Sequence, residues 1–177
     1  MERAGSFSAV PGVGMALVGA SALGAAALSA VARARFGERG WFAVWLAELV
    51  IAAVIARVAI EAKARAIGQD LGAAPARRFV RSFALPFVVG GFVTFALLGA
   101  GLGGLVPAMW LLFYGLALVA GWGSVAREIV PLLGLAFVLI GTVALFAPPA
   151  WGVLFLAAGF GGLHVVFGLV IARRFGG

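Results

Sequence analysis

Long apolar stretches without charge dominate the sequence and constrain its fold more than any other feature. Of the 177 residues, 64% are hydrophobic and 11% are charged, whereas soluble proteins average about 25% charged residues. Because so few charges cannot cover the surface of a soluble domain, a soluble globular enzyme is excluded. A disordered chain is excluded too, since it needs the opposite composition. The sequence therefore predicts an integral membrane protein.

Six apolar stretches are long enough to cross a bilayer, which takes about 20 residues per helix. Pro107 begins one of them, Pro148 and Pro149 separate the last two, and Gly37 and Gly40 flank the first turn. We expect an all-α polytopic membrane protein, a single bundle over residues 1–177 whose six transmembrane helices form three hairpins. The expected spans are residues 10–32, 41–60, 83–105, 107–126, 129–146 and 151–172, with a basic cytoplasmic loop over 61–82.

The distribution of Lys and Arg predicts the orientation, because cytoplasmic loops carry an excess of positive charge. One side would carry ten of these residues: Arg3, Arg57, Lys63, Arg65, Arg77, Arg78, Arg81, Arg127, Arg173 and Arg174. The other side would carry three: Arg33, Arg35 and Arg39. Spans two, four and six also begin with tryptophans, as in an aromatic belt at the outer interface. We expect a multi-pass protein of the cell (inner) membrane with both termini in the cytoplasm.

The cytoplasmic loop concentrates positive charge just before span three. Arg77, Arg78 and Arg81 are expected to contact anionic lipid headgroups, which attract basic residues next to a membrane. A docking surface for a soluble partner is the alternative. The net charge of +7 is explained by these residues between apolar segments, so nucleic acid is not an expected partner.

Metal, cofactor and enzyme chemistry find little support in the sequence. The chain has no cysteine and one histidine, so neither thiolate ligation nor a three-histidine metal site can form. No serine lies in a nucleophile elbow and no acidic pair has catalytic spacing, so we expect no enzyme and no cofactor.

Small residues recur every four positions in Gly12, Ala16, Ala20 and Gly24, and again in Gly99 and Gly103 and in Ala157 and Gly161. In lipid this pattern indicates close helix packing.

One hairpin of the sequence resembles a known family. A Gly-rich apolar helix, a Pro-Pro turn and a Trp run from Val130 to Trp151, and the glycine-containing segment from Ala158 to Gly168 follows. This pattern resembles the HdeD-like small membrane proteins of bacteria. The resemblance implies a six-span fold and an association with acid or general stress, without a known molecular activity.

Glu48 is the residue with the clearest chemical potential. It lies seven residues into span two, roughly 10 Å below the outer interface, where an ionised carboxylate is costly and ionisable groups are often functional. We expect it to face the bundle interior, protonated or hydrogen-bonded, in a polar cluster with Tyr114, Thr94 and Thr142. One interpretation is structural, with the carboxyl fixing helix packing. The other is a proton or cation site.

The single histidine, His164, lies about 10 Å deeper than Glu48 when residues are counted inward from Trp151. It is either packed against a neighbouring helix or an axial ligand that would need a pigment partner.

Two classes of function remain open for the whole protein. The first is a non-catalytic membrane protein, stress-associated or a packing subunit that binds other subunits or copies of itself. The second is a small proton- or cation-coupled transporter or channel that uses Glu48.

Overall fold

A computed structural model describes residues 8–124 and 129–175, and all regular elements in these ranges are helical. Arg3, Arg127 and the expected end of span four at residue 126 lie outside the described residues. The helices are α1 (Gly12–Ala66), α2 (Ala74–Gly99), α3 (Val106–Ala120), α4 (Ile129–Phe146), α5 (Gly152–Leu156) and α6 (His164–Phe175). Short 3-10 turns cover Gly103–Leu105, Trp122–Ser124 and Pro149–Trp151, and a π-helical turn covers Ala157–Leu163.

Five helical segments of the described chain are long and apolar enough to cross a membrane. They are Gly12–Ala66, Ala74–Gly99, Gly103–Ser124, Ile129–Phe146 and Pro149–Phe175, of which the last is called the C-terminal helix. The all-α prediction is thereby confirmed, as is the presence of several membrane-type helices. The helix in the segment expected at 129–146 ends at the predicted residue, Phe146, whereas the residues before Ile129 lie outside the described part of the chain.

The first helix contains a break at Gly37 that divides its 55 residues into two arms. Gly37 has φ 65° and ψ −154°, a conformation open almost only to glycine. We call residues 12–36 arm α1a and residues 38–66 arm α1b. A Cβ atom built on Gly14 would lie 2.2 Å from the Cβ of Ala59, so the two arms lie against each other. The expected loop between residues 32 and 41 is helical on both sides of Gly37, because its Ala, Arg and Glu residues are good helix formers.

The expected loop over residues 61–82 is much shorter in the structure. Arm α1b continues to Ala66 and α2 begins at Ala74, which leaves only residues 67–73 outside a helix. Gly68, at φ 65°, helps the chain to turn, and the side-chain oxygen of Gln69 accepts hydrogen bonds from the backbone amides of Ser8 and Ala9. Pro75 occupies the first turn of α2, where its missing N–H costs nothing.

The helices belong to two compact units. Of the described residues, the terminal unit contains 11–63 and 153–175, and thus both arms of α1 and most of the C-terminal helix. The central unit contains the described residues among 8–10 and 64–152, with α2, α3 and α4.

In the central unit, α3 runs antiparallel to both α2 and α4. A Cβ atom on Gly115 would lie 2.7 Å from the carbonyl oxygen of Gly134, and one on Gly134 would lie 2.9 Å from the carbonyl oxygen of Gly115. The backbones of α3 and α4 therefore approach closely at this crossing. Leu111, Leu133 and Phe137 are fully buried and form the core of this unit.

In the terminal unit, α1a and the C-terminal helix run antiparallel along a contact that we call the glycine seam. It comprises Gly12, Ala16 and Gly19 on one side and Gly161, Val165, Gly168 and Ala172 on the other. A Cβ atom would lie 2.2 Å from the Ala172 nitrogen if built on Gly12, and 2.5 Å from the Ala16 nitrogen if built on Gly168. The seam thus includes part of the predicted small-residue stripe, whereas Ala20 and Gly24 are exposed.

Candidate intramembrane polar site

Glu48 lies on arm α1b with 6% of its surface exposed. Its Oε1 is 2.8 Å from the Oγ of Ser21 on arm α1a, so the two polar groups meet across the pair of arms. Ser21 was not among the residues singled out from the sequence. The chain reverses direction at Gly37, so Ser21 on arm α1a and Glu48 on arm α1b come to lie side by side. Recognising this reversal from the glycine would have identified Ser21.

The hydroxyl of Ser21 has two oxygen neighbours but only one proton. Its Oγ lies 2.9 Å from the carbonyl oxygen of Val18 and 2.8 Å from Oε1 of Glu48. A carbonyl oxygen can only accept, and an ionised carboxylate can only accept. Ser21 donates to Oε1 of Glu48 and to the Val18 carbonyl oxygen, so its single proton is shared between two acceptors.

A groove of about 390 Å³ runs beside this pair. Its lining residues come from both arms and are Ser21, Ala25, Leu28, Ala43, Val44, Ala47, Glu48 and Ile51. Leu28 is 58% exposed and Ile51 is 48% exposed, so the groove is open on its outer side. Among the described residues, no Lys, Arg or His side chain forms an ion pair with Glu48.

The three other residues of the expected cluster lie in the central unit, and each contacts different partners. Thr94 is buried, accepts a hydrogen bond from Nε1 of Trp110 at 2.9 Å and donates to the Gly90 carbonyl oxygen. The ring of Tyr114 packs edge-on against Phe137, with centroids 4.8 Å apart. Thr142 is exposed and donates to the Val138 carbonyl oxygen of its own helix. Glu48 itself belongs to the terminal unit.

His164 directly follows the π-helical turn and is 3% exposed. Its Nδ1 lies 3.0 Å from the carbonyl oxygen of Phe160, so this nitrogen carries the proton and donates. The ring is also stacked on Phe160, which in turn lies 6.5 Å from the ring of Trp45. The histidine is thus held against neighbouring aromatic rings of the terminal unit.

The glycine seam places His164 close in height to the Ser21–Glu48 pair. A Cβ atom on Gly19 would lie 2.6 Å from the Gly161 oxygen and from the Val165 nitrogen. Ser21 is two residues further on, so His164 lies within about one helical turn of its level. Counting residues inward from Trp41 and Trp151 overestimated the difference in depth between Glu48 and His164. The count assumed that both helices begin at the same depth, whereas the C-terminal helix begins further from the level of Ser21 than arm α1b does.

The arginines expected to bind lipid headgroups are all exposed and lie in the first turns of α2. The guanidinium group of Arg77 donates to the Gly72 carbonyl oxygen. Arg78 and Arg81 are three residues apart and therefore share one face of the helix. We call Arg77, Arg78 and Arg81 the α2 arginines.

Groups of three or more His, Cys, Asp or Glu that could bind a metal ion do not occur in the part of the chain that the structure describes. No protein-family model matches this chain, and neither does a curated protein or a solved structure.

Proposed function

We propose that the protein crosses the cell (inner) membrane six times, with both termini in the cytoplasm. At about 1.5 Å per residue, a straight helix of the length of α1 would span about 80 Å, far more than the roughly 30 Å of a hydrocarbon core. The reversal at Gly37 and the contact between Ser21 and Glu48 support two spans within this helix. The split of ten against three Lys and Arg supports the orientation.

Reporter fusions test this topology. A fusion at Gly177 should report a cytoplasmic position and one in the turn between Gly37 and Gly40 an external position. Reporters on the same side at both places would contradict the six-span topology.

We further propose that the protein is a non-catalytic subunit that packs against another membrane helix. The observation that carries this proposal is the open face of α1a at Gly24, where a Cβ atom would meet nothing within 4 Å. Ala20 and Ala27 are exposed on either side of it. Small residues at such spacing let a second backbone approach in lipid, and a second copy of the chain is the simplest partner.

Co-purification of two differently tagged copies tests this function. Gly24→Ile should abolish co-purification because the branched side chain separates the backbones. The matched control is Gly91→Ile on α2, where a Cβ atom also meets nothing within 4 Å but exposed Phe92 and Val88 flank the site. Equal loss from both variants, or from neither, would contradict the proposal. Pull-down of another membrane subunit in place of a second copy would support the packing role with a different partner.

A second candidate function is favoured by the buried carboxyl of Glu48 beside an open groove. In this alternative the protein is a small proton- or cation-coupled transporter. Glu48→Gln should abolish pH-gradient-driven flux in proteoliposomes and leave the fold intact. Glu61→Gln is the control, since Glu61 lies on the same arm and pairs with Arg57.

The resemblance of residues 130–168 to HdeD-like proteins supports a role under acid or general stress. Survival of a deletion strain at low pH, with and without a plasmid copy, measures this role. Unchanged survival of the deletion strain would contradict a role of this protein under acid stress.

A further inference from the structure

We propose that the groove beside Glu48 binds a hydrophobic organic monocation in exchange for the proton of the Glu48 carboxyl. The proposal rests on the second candidate function, because it uses the same carboxyl, and it names the chemical class of the ligand.

Charge is the first reason for this choice of ligand. The Glu48 carboxyl is buried and forms no ion pair with a described Lys, Arg or His side chain. Its hydrogen-bond partner, Ser21, is neutral. An ionised carboxylate at this depth is costly without a counter-ion, and the open groove gives a cation a route to it. Charge complementarity therefore favours a cationic occupant over a neutral or anionic one.

The walls of the groove are the second reason. Six of its eight lining residues are apolar: Ala25, Leu28, Ala43, Val44, Ala47 and Ile51. Calcium requires about six to eight oxygen ligands and magnesium retains several waters, whereas this groove offers one carboxyl and one hydroxyl. An organic cation carries its own apolar surface and needs no such oxygen shell. The volume of about 390 Å³ lies at the lower end of the roughly 300–1,000 Å³ typical of small-molecule sites.

The carboxyl of Glu48 supplies the exchanged proton. With the groove empty, the carboxyl is buried without a described counter-ion and is therefore neutral, and the Ser21 hydroxyl lies 2.8 Å from its Oε1 and 2.9 Å from the Val18 carbonyl oxygen. When the cation binds, the carboxyl releases its proton to the aqueous phase and becomes a carboxylate. The Ser21 hydroxyl then rotates to donate to that carboxylate. One positive charge enters and one proton leaves, so the total charge of the site does not change.

Other ionisable groups around the site are few. On α1a they are Arg33 and Arg35, and on α1b they are Glu38, Arg39, Arg57, Glu61, Lys63 and Arg65. On the C-terminal helix they are His164, Arg173 and Arg174. None of these residues lines the groove. His164 is closest to the level of Ser21, so the experiment must separate its protonation from that of Glu48.

The test is calorimetric titration of the purified full-length protein in nanodiscs. The probe is benzyltrimethylammonium, and neopentylbenzene, which has the same shape with carbon in place of the charged nitrogen, is its neutral control. We expect the cation to bind and the neutral compound to bind at least about tenfold more weakly. Repeating the titration in buffers of different ionisation enthalpy counts protons, and we expect release of about one proton per bound cation.

Two pairs of variants locate the site. Glu48→Gln should weaken cation binding by at least about tenfold and end proton release, whereas Glu61→Gln should leave both unchanged. Ala47→Leu fills the groove without altering charge and should also weaken binding, whereas Ala53→Leu, at an exposed position outside the groove, should not. Ala47→Leu and its control Ala53→Leu both leave Glu48 in place. They therefore test the position of the site even if Glu48→Gln fails to fold.

Several results would overturn the proposal. These are equal binding of the neutral control, unchanged binding by Glu48→Gln, competition by sodium or potassium at equal concentration, or loss of proton release in His164→Gln with Glu48 intact. If the cation binds but no flux is observed, the transport function is refuted and the cation-binding site stands. If proton flux depends on Glu48 but the cation does not bind, the cation-binding site is refuted and the transport function stands.

Discussion

Adding one methyl group to the glycine seam should destabilise the protein. In Gly19→Ala the new Cβ would lie 2.6 Å from both the Gly161 carbonyl oxygen and the Val165 nitrogen. Both are backbone atoms, so the two helices themselves must separate. Overpacking of this kind costs about 1–3 kcal/mol, while alanine gains about 0.5–1 kcal/mol over glycine in a helix. The expected net loss in the free energy of unfolding is therefore about 0–2.5 kcal/mol, and it lies toward the upper end because the contacted atoms belong to the backbone.

Gly24→Ala is the matched control on the same arm, because a Cβ atom there meets nothing within 4 Å. Within a single copy only the gain in helix propensity remains, so under conditions where the copies do not associate this variant should be more stable than the parent by about 0.5–1 kcal/mol. The assay is reversible unfolding of the purified protein by titration with a denaturing detergent, followed by circular dichroism. If Gly19→Ala is as stable as Gly24→Ala, the close approach of α1a to the C-terminal helix does not exist as described.

Three further predictions concern other parts of the chain. Gly37→Ala should lose about 1–3 kcal/mol of unfolding free energy in the same titration, because φ 65° and ψ −154° strain any side chain; no loss would show that the reversal lies elsewhere. Thr94→Val removes the buried hydroxyl that accepts from Trp110 Nε1 and should cost about 0.5–1.5 kcal/mol; the double variant with Trp110→Phe should lose less than the sum of the two single variants. Replacing the α2 arginines by Gln should reduce the anionic phospholipid that mass spectrometry finds after mild extraction, since each contact is worth about 1 kcal/mol near an anionic surface; equal loss of neutral lipid would count against a headgroup site.

The helical class was predictable because hydropathy depends on composition over long windows. The end of α4 at Phe146 agrees with the sequence prediction, because a proline pair follows it. The helix ends near residues 32–41 and 61–82 were not, because charged residues that prefer loops in a membrane protein are also good helix formers. Hydropathy cannot distinguish a charged helix that projects from the bilayer from a charged loop.

The neighbours of Glu48 depend on helix pairing, which single-sequence patterns do not specify. Depth alone grouped Glu48 with Tyr114, Thr94 and Thr142, although its hydrogen-bond partner is Ser21. Trp45 shows the same limit. Its position near the start of a span suggested an aromatic belt at the outer interface, which does not indicate that it is 4% exposed and packs beside Phe160. Which face of a helix meets which neighbour is set by tertiary contacts.

The glycine seam also has a consequence for the order in which the protein is made. Gly19 and Gly161 are separated by 142 residues (161 − 19), and ribosomes add about 5–20 residues per second, so roughly 7–28 s pass between them. During this interval α1a has left the ribosome while the segment that packs against it has not been synthesised. The terminal unit can therefore close only after residues 161–172 have left the ribosome, when the C-terminal helix reaches α1a. A ribosome that stops before Gly161 leaves two complete arms whose small-residue surface faces lipid in place of the C-terminal helix.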